Sequence, residues 1–230
     1  MPAYCFANNI SVVPVQQVSG ITAVVSSYTV TLTQTPVAGD VLILLSNGNT
    51  TGVNVTGVTE TNVVWNSGYS TNINRSQDLW YGVVTAGAGT SISVNTNASA
   101  NFIYNVSEWS GLLTTSGVDQ HAGNTGTSST FSTASLTPAN MRNVLIVAET
   151  TGTGHNSSGP TNGFTALTSA DNSYEFAYLV LASANGSYST TWTNTTNTAF
   201  TAIIADFLAA NNGTGIVLNN SVWRNSVIGK

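Results

Sequence analysis

Any acid–base, nucleophilic or metal chemistry in this chain would have to come from two histidines, nine carboxylates and one cysteine. A hydrolytic triad needs a histidine between an activated serine and a carboxylate. The segment Ser116-Gly-Val-Asp-Gln-His121 puts Asp119 near His121, but no Gly-x-Ser-x-Gly elbow accompanies it. His155 sits in a Gly/Ser loop, Gly154-His155-Asn156. Sugar cleavage needs two carboxylates across a cleft, and Glu108 with Glu149 is the candidate pair. Glu108, however, reads as a residue that bonds neighbouring backbone or a hydroxyl. Calcium sites gather six to eight oxygens. Asp171-Asn172 near Glu175 is the densest local oxygen cluster, without Asp-x-Asp-x-Asp spacing. Cys5 alone makes neither a zinc site nor an internal disulfide. Gly152-Thr-Gly154 lacks the Lys and helix of a phosphate loop. The expectation is a non-enzymatic chain with no cofactor.

Two further residue sets bear on partners. Trp65, Trp109, Trp192 and Trp223 offer flat surfaces for sugars, or else core packing. Sequons Asn-x-Ser/Thr begin at Asn9, Asn49, Asn54, Asn74, Asn97, Asn105, Asn156, Asn185, Asn194, Asn212 and Asn219. A composition this rich in Asn, Ser and Thr explains most of them. Any that are glycosylated must lie on the surface.

These residues sit on segments with strand character. Alternation runs through Tyr28–Thr33, Thr90–Asn95 and Tyr188–Thr193, the pattern of half-buried antiparallel strands. Val41-Leu-Ile-Leu-Leu45 and Val144-Leu-Ile-Val-Ala148 are continuous apolar runs and read as central strands. Phe200 to Ala210 can be read as helix or strand, and the strand is favoured because the segment has β-branched residues and follows a turn. Gly and Asn clusters recur at the spacing of a sandwich or barrel.

The chain also echoes itself. Leu79–Ser91 aligns with Phe176–Tyr188, so that Tyr81 falls on Tyr178 and Gly89 on Gly186. Thr35-Pro36 with Asp40-Val-Leu-Ile43 matches Thr137-Pro138 with Asn143-Val-Leu-Ile146. The reading is an all-β, antiparallel sandwich over residues 21–210, built from pseudo-repeated halves at about 21–112 and 128–210. Residues 1–20 and 211–230 read as terminal arms outside the repeat, either strands packed on their own domain or segments that pair with a neighbour. Within 211–230, Ile216, Val217, Leu218, Val222, Trp223, Val227 and Ile228 are candidates for pairing with a neighbour's open sheet edge.

Composition closes off some partners. Only 6% of the 230 residues are charged, and the net charge is −5. Thr, Ser and Asn number 35, 27 and 27, so the surface is wet but nearly uncharged. Arg75, Arg142, Arg224 and Lys230 are too dispersed to track phosphates, which argues against nucleic acid. No apolar stretch is long enough for a membrane span. The start, MPAYCFANNIS, lacks the basic and apolar regions of a signal peptide. So few titrating groups predict a stability that varies little between about pH 5 and 9.

Asp78-Leu-Trp-Tyr-Gly through Val94, followed by Glu108-Trp109-Ser110-Gly111, resembles a jelly-roll β-sandwich module. That module occurs in secreted bacterial and archaeal proteins and in viral structural proteins. Thr35-Pro36, Gly39-Asp40, Gly87 and Gly89 belong to the same resemblance. It implies a jelly-roll fold and a surface or assembly role, with no single chemistry. The composition also resembles archaeal virus turret or coat proteins and archaeal extracellular filament subunits. The leading expectation is a structural subunit on a virion exterior: a turret, spike, fibre or coat component. It would contact copies of itself and other structural subunits, and in some arrangements host-surface glycans. The alternatives are a cellular filament subunit joined by donor-strand exchange, and a carbohydrate-binding or adhesive module. All three place the chain on a virion surface or outside the cell.

Overall fold

The computed structural model describes residues 11–139, 144–152, 158–182 and 184–210. The N-terminal half supplies β1 (Val13–Ile21), β2 (Val25–Thr31), β3 (Val41–Gly48), β4 (Val55–Thr59), β5 (Val63–Thr71), β6 (Ser76–Val84), β7 (Ser91–Ala100) and β8 (Phe102–Ser110). The C-terminal half supplies β9 (Val118–Ser132), β10 (Val144–Gly152), β11 (Thr165–Leu167), β12 (Tyr174–Leu181) and β13 (Thr191–Leu208). No helix occurs among the described residues. Every strand pairing is antiparallel.

Three sheets form. The central sheet has the order β1-β8-β3-β6-β5, the outer sheet β9-β13-β10-β12-β11, and the small sheet β2-β7-β4. The two apolar runs explain the layering. β3 and β10 are buried on both faces, as strands must be when a layer covers each side. Leu42, Leu44 and Val106 of the central sheet pack against Val30, Ile92 and Val94 of the small sheet. Ile43, Leu45 and Trp109 on its other face pack against Leu145, Val147 and Ile203 of the outer sheet. The far side of the outer sheet is closed by Phe131, Leu136, Phe164 and Trp192. β7 shows the one-sided alternation expected of a covering strand, with Ile92 and Val94 inward and Ser91, Ser93 and Asn95 outward.

The all-β, antiparallel, layered architecture read from the sequence is what forms, including the strand at Phe200–Leu208. Two boundaries differ. Residues 13–20, expected in an arm, lie in β1, which pairs with β8 from Val13↔Ser110 to Ile21↔Ile103. Val18 packs into the small-sheet core, so this segment gains burial from joining its own body. Residues 118–127, left between the two expected halves, lie in β9, which pairs with most of β13. Residues 1–10 and 211–230 lie outside the described residues, and with them Ile216, Val217, Leu218, Val222, Trp223, Val227 and Ile228.

Candidate functional site

The catalytic combinations weighed from the sequence do not assemble. Glu108 and Glu149 are both fully buried. Glu108 stands opposite Leu42, on the small-sheet face of the central sheet. Glu149 is on β10 with Val147, in the core on the other side. No cleft exposes both. His121 is exposed on β9 and stacks on Tyr69 with ring centroids 4.2 Å apart, an aromatic contact in place of a serine hydroxyl. The Asp171 carboxylate accepts the Ser173 N–H at 2.8 Å, which closes a turn. His155 and Cys5 lie outside the described residues.

Glu108 instead anchors chain. Its Oε1 accepts the Val37 N–H at 2.7 Å, and its Oε2 accepts the Gln16 side-chain amide at 2.6 Å. Gln16 Oε1 in turn accepts the N–H groups of Thr33 and Gln34, each at 3.1 Å. The edge strand, the β2–β3 loop and β8 are thereby tied at one point. Asp40 reaches the same carboxylate. Burial, then the hydrogen bond and charge of Glu108, push the Asp40 carboxyl up to about 6. Gly39 and Gly111 hold φ values of +95° and +80° beside this cluster, which accounts for glycine at both motif positions.

A second polar cluster lies between the central and outer sheets. Asn47 on β3 and Gln77 on β6 face each other in register. The Asn47 amide donates to Glu149 Oε2 at 2.8 Å. Burial, then the charge of Asp78, holds the Glu149 carboxyl well above its ordinary range. Sequence reasoning did not single out Asn47, Gln77 or Gln16. The legible signal was polar residues ending an apolar run, as in Leu45-Ser-Asn47.

The sequons divide by exposure. Asn49, Asn97 and Asn185 are exposed, and Asn54 and Asn74 are half-buried. Asn105 and Asn194 are buried, so the folded chain cannot carry a glycan there. The Asn105 amide is also committed to the Thr168 carbonyl at 2.9 Å. Asn9, Asn156, Asn212 and Asn219 fall outside the described residues. Trp109 and Trp192 are fully buried in the cores and offer no sugar platform. Trp65 is half-buried against the small-sheet core, and Trp223 is outside the described residues.

The exposed large apolar residues lie in loops, at Val24, Val37 and Ile73, and on two sheet edges. β1 and β5 are the outer strands of the central sheet. β1 exposes Val13, Val15 and Ile21, and β5 exposes Val64 at 59%. A groove of about 330 Å³ runs beside β1, lined by Pro14, Val15, Gln17, Ala166 and Tyr178. One of about 380 Å³ runs beside β5, lined by Val64, Asn66, Tyr81 and Thr115. Comparison with protein-family models, with curated proteins and with solved structures finds no match to this chain.

Proposed function

We propose that this chain is a non-enzymatic structural subunit of a virus-particle exterior, a turret, spike, fibre or coat component joined to its neighbours through sheet edges and terminal arms. The observation that carries the reading is the pair of outer strands, β1 and β5. Each is unpaired by any strand on its outer side among the described residues; β1 exposes Val13 and Val15 and β5 exposes Val64, each next to a groove. Open edges of this kind are templates for another chain unless they are blunted by charge, proline or a cover. Pro14 and a register shift between Pro14 and Gln16 blunt one end of β1, and no charged residue lies on it. Scarce charge supports the same reading, because close subunit contacts then desolvate few ions.

The strand order supports a jelly roll in the N-terminal half. The pairs β1–β8, β2–β7 and β3–β6 are the rungs of one long hairpin ribbon, rolled so that β8 meets β3 and β7 meets β4. The outer sheet repeats the five-strand order of the central one, with β9, β13, β10, β12 and β11 in place of β1, β8, β3, β6 and β5. The echoing segments Leu79–Ser91 and Phe176–Tyr188 begin in β6 and β12, at equivalent places. This supports a repeated unit whose second copy covers the first. The greasy residues of 211–230 supply a segment suited to an edge.

Immunogold electron microscopy of native material, with antibody raised against the full chain, tests the role. Label on the outside of virus-sized particles is the expected result. Label along cell-attached filaments replaces this reading with the filament subunit, and diffuse soluble label overturns both.

A further inference from the structure

We propose that the chain binds a calcium ion between its central and outer sheets, held by Asn47, Gln77, Glu149 and Thr201. All four side chains are fully buried. Asn47 Oδ1, both polar atoms of Gln77, Glu149 Oε1 and Thr201 Oγ1 have no hydrogen-bond partner in the protein. Leaving one such buried atom unsatisfied is destabilising, so five in one layer mark a place built for something else.

The register places Asn47 and Gln77 side by side on the central sheet and Glu149 and Thr201 near each other on the facing side of the outer sheet. Asn47 faces Gln77 directly across β3 and β6. Thr201 faces Thr151 across β10 and β13, two residues along from Glu149 on the same face. The bond from the Asn47 amide to Glu149 Oε2 joins the two sheets at that point. The free oxygens are one carboxylate, two amide carbonyls and one hydroxyl, which is the donor mix of a hard cation. Calcium tolerates irregular geometry and fills its shell with water, and one such water would accept from Gln77 Nε2. Asp78, in register with Ser46, lies on the opposite face of the central sheet, and its charge reaches Glu149 across the sheet. The Asp78 oxygens themselves are engaged by the Val55 N–H and the Ser70 hydroxyl. Arg75, the one Arg or Lys among the described residues, directs its guanidinium to the Asn49 carbonyl and the Tyr174 phenol. This cluster is separate from Asp171 and Glu175, the calcium candidate suggested by the sequence.

The test uses the purified full chain at pH 7.5, melted in EGTA and again in calcium chloride, with metal content measured after dialysis. Calcium at about a hundredfold over its Kd is expected to raise Tm by about 5–10 °C, with close to one ion retained per chain. Glu149→Gln and Gln77→Leu should both lose that shift, whereas Asp171→Asn should keep it. Should Glu149→Gln fail to fold, Gln77→Leu carries the test, since it leaves the carboxylate in place. Equal melting in calcium and EGTA with no retained metal overturns the site. So does a shift that survives Gln77→Leu or vanishes in Asp171→Asn.

Discussion

At the residue scale the dominant fact is that several carboxylates are buried with no Lys or Arg beside them among the described residues. Burial is the leading cause that pushes Asp40, Asp78 and Asp206 up to about 6 and Glu60 up to about 7. Each of these groups binds its proton more tightly folded than unfolded. The stability this confers is full below about pH 4 and is lost as pH rises through 6 to 7. Tm in EGTA should therefore be highest in acid and fall by many degrees between pH 4 and 7.5. A flat melting profile over that range contradicts the burial account. Asp206→Asn is a sharper check: the Gln120 N–H keeps an oxygen acceptor while the charge is removed. That variant should match the parent near pH 4 and be the more stable of the two at pH 7.5. The sequence-based expectation of weak pH dependence counted titrating groups but not their burial. Asp206 reads as one polar residue in an apolar run, and it loses its water only once the side chains on the far face of the outer sheet close around it. Glu108, by contrast, is expected from its place in the sandwich motif to bond neighbouring backbone or a hydroxyl; it accepts the Val37 N–H and, in place of a hydroxyl, the Gln16 amide.

At the element scale, the long apolar runs made β3 and β10 legible as central strands, and alternation made β2 and β7 legible as covers. The fate of residues 13–21 was not legible. VPVQQVSGI has little alternation, and its placement depends on contacts far along the chain. Gln16 bonds Glu108 and Gln17 accepts the Thr168 N–H at 3.0 Å. Removing the first of these should free the β2–β3 loop. Gln16→Ala leaves buried Glu108 short of one donor and should cost about 1–3 kcal/mol. Hydrogen exchange should then show the Thr33, Gln34 and Val37 amides losing protection ahead of β3. Unchanged protection at those amides would show that Glu108 does not hold the loop.

At the scale of the whole molecule, the core between the central and outer sheets is shared by both halves of the chain. Neither half can open without exposing the other's apolar face, so the described body should unfold in one cooperative step by calorimetry. Phe207→Ala, in that shared core, should lower stability by about 3–5 kcal/mol and keep the transition single. Two resolved transitions would mean that the halves are energetically separate. Composition foretold a stack of sheets with a nearly uncharged surface. It did not foretell three layers, because the small sheet and the outer sheet draw on similar Thr/Val strands and differ only in what they cover.

The assembly role rests on the open edges, and sedimentation velocity of the full chain beside Val13→Lys/Val15→Lys measures their use directly. The account expects the parent to sediment as an oligomer over micromolar concentrations and the double variant as a folded monomer. A parent that is monomeric throughout, or an oligomer that the two lysines leave intact, contradicts it.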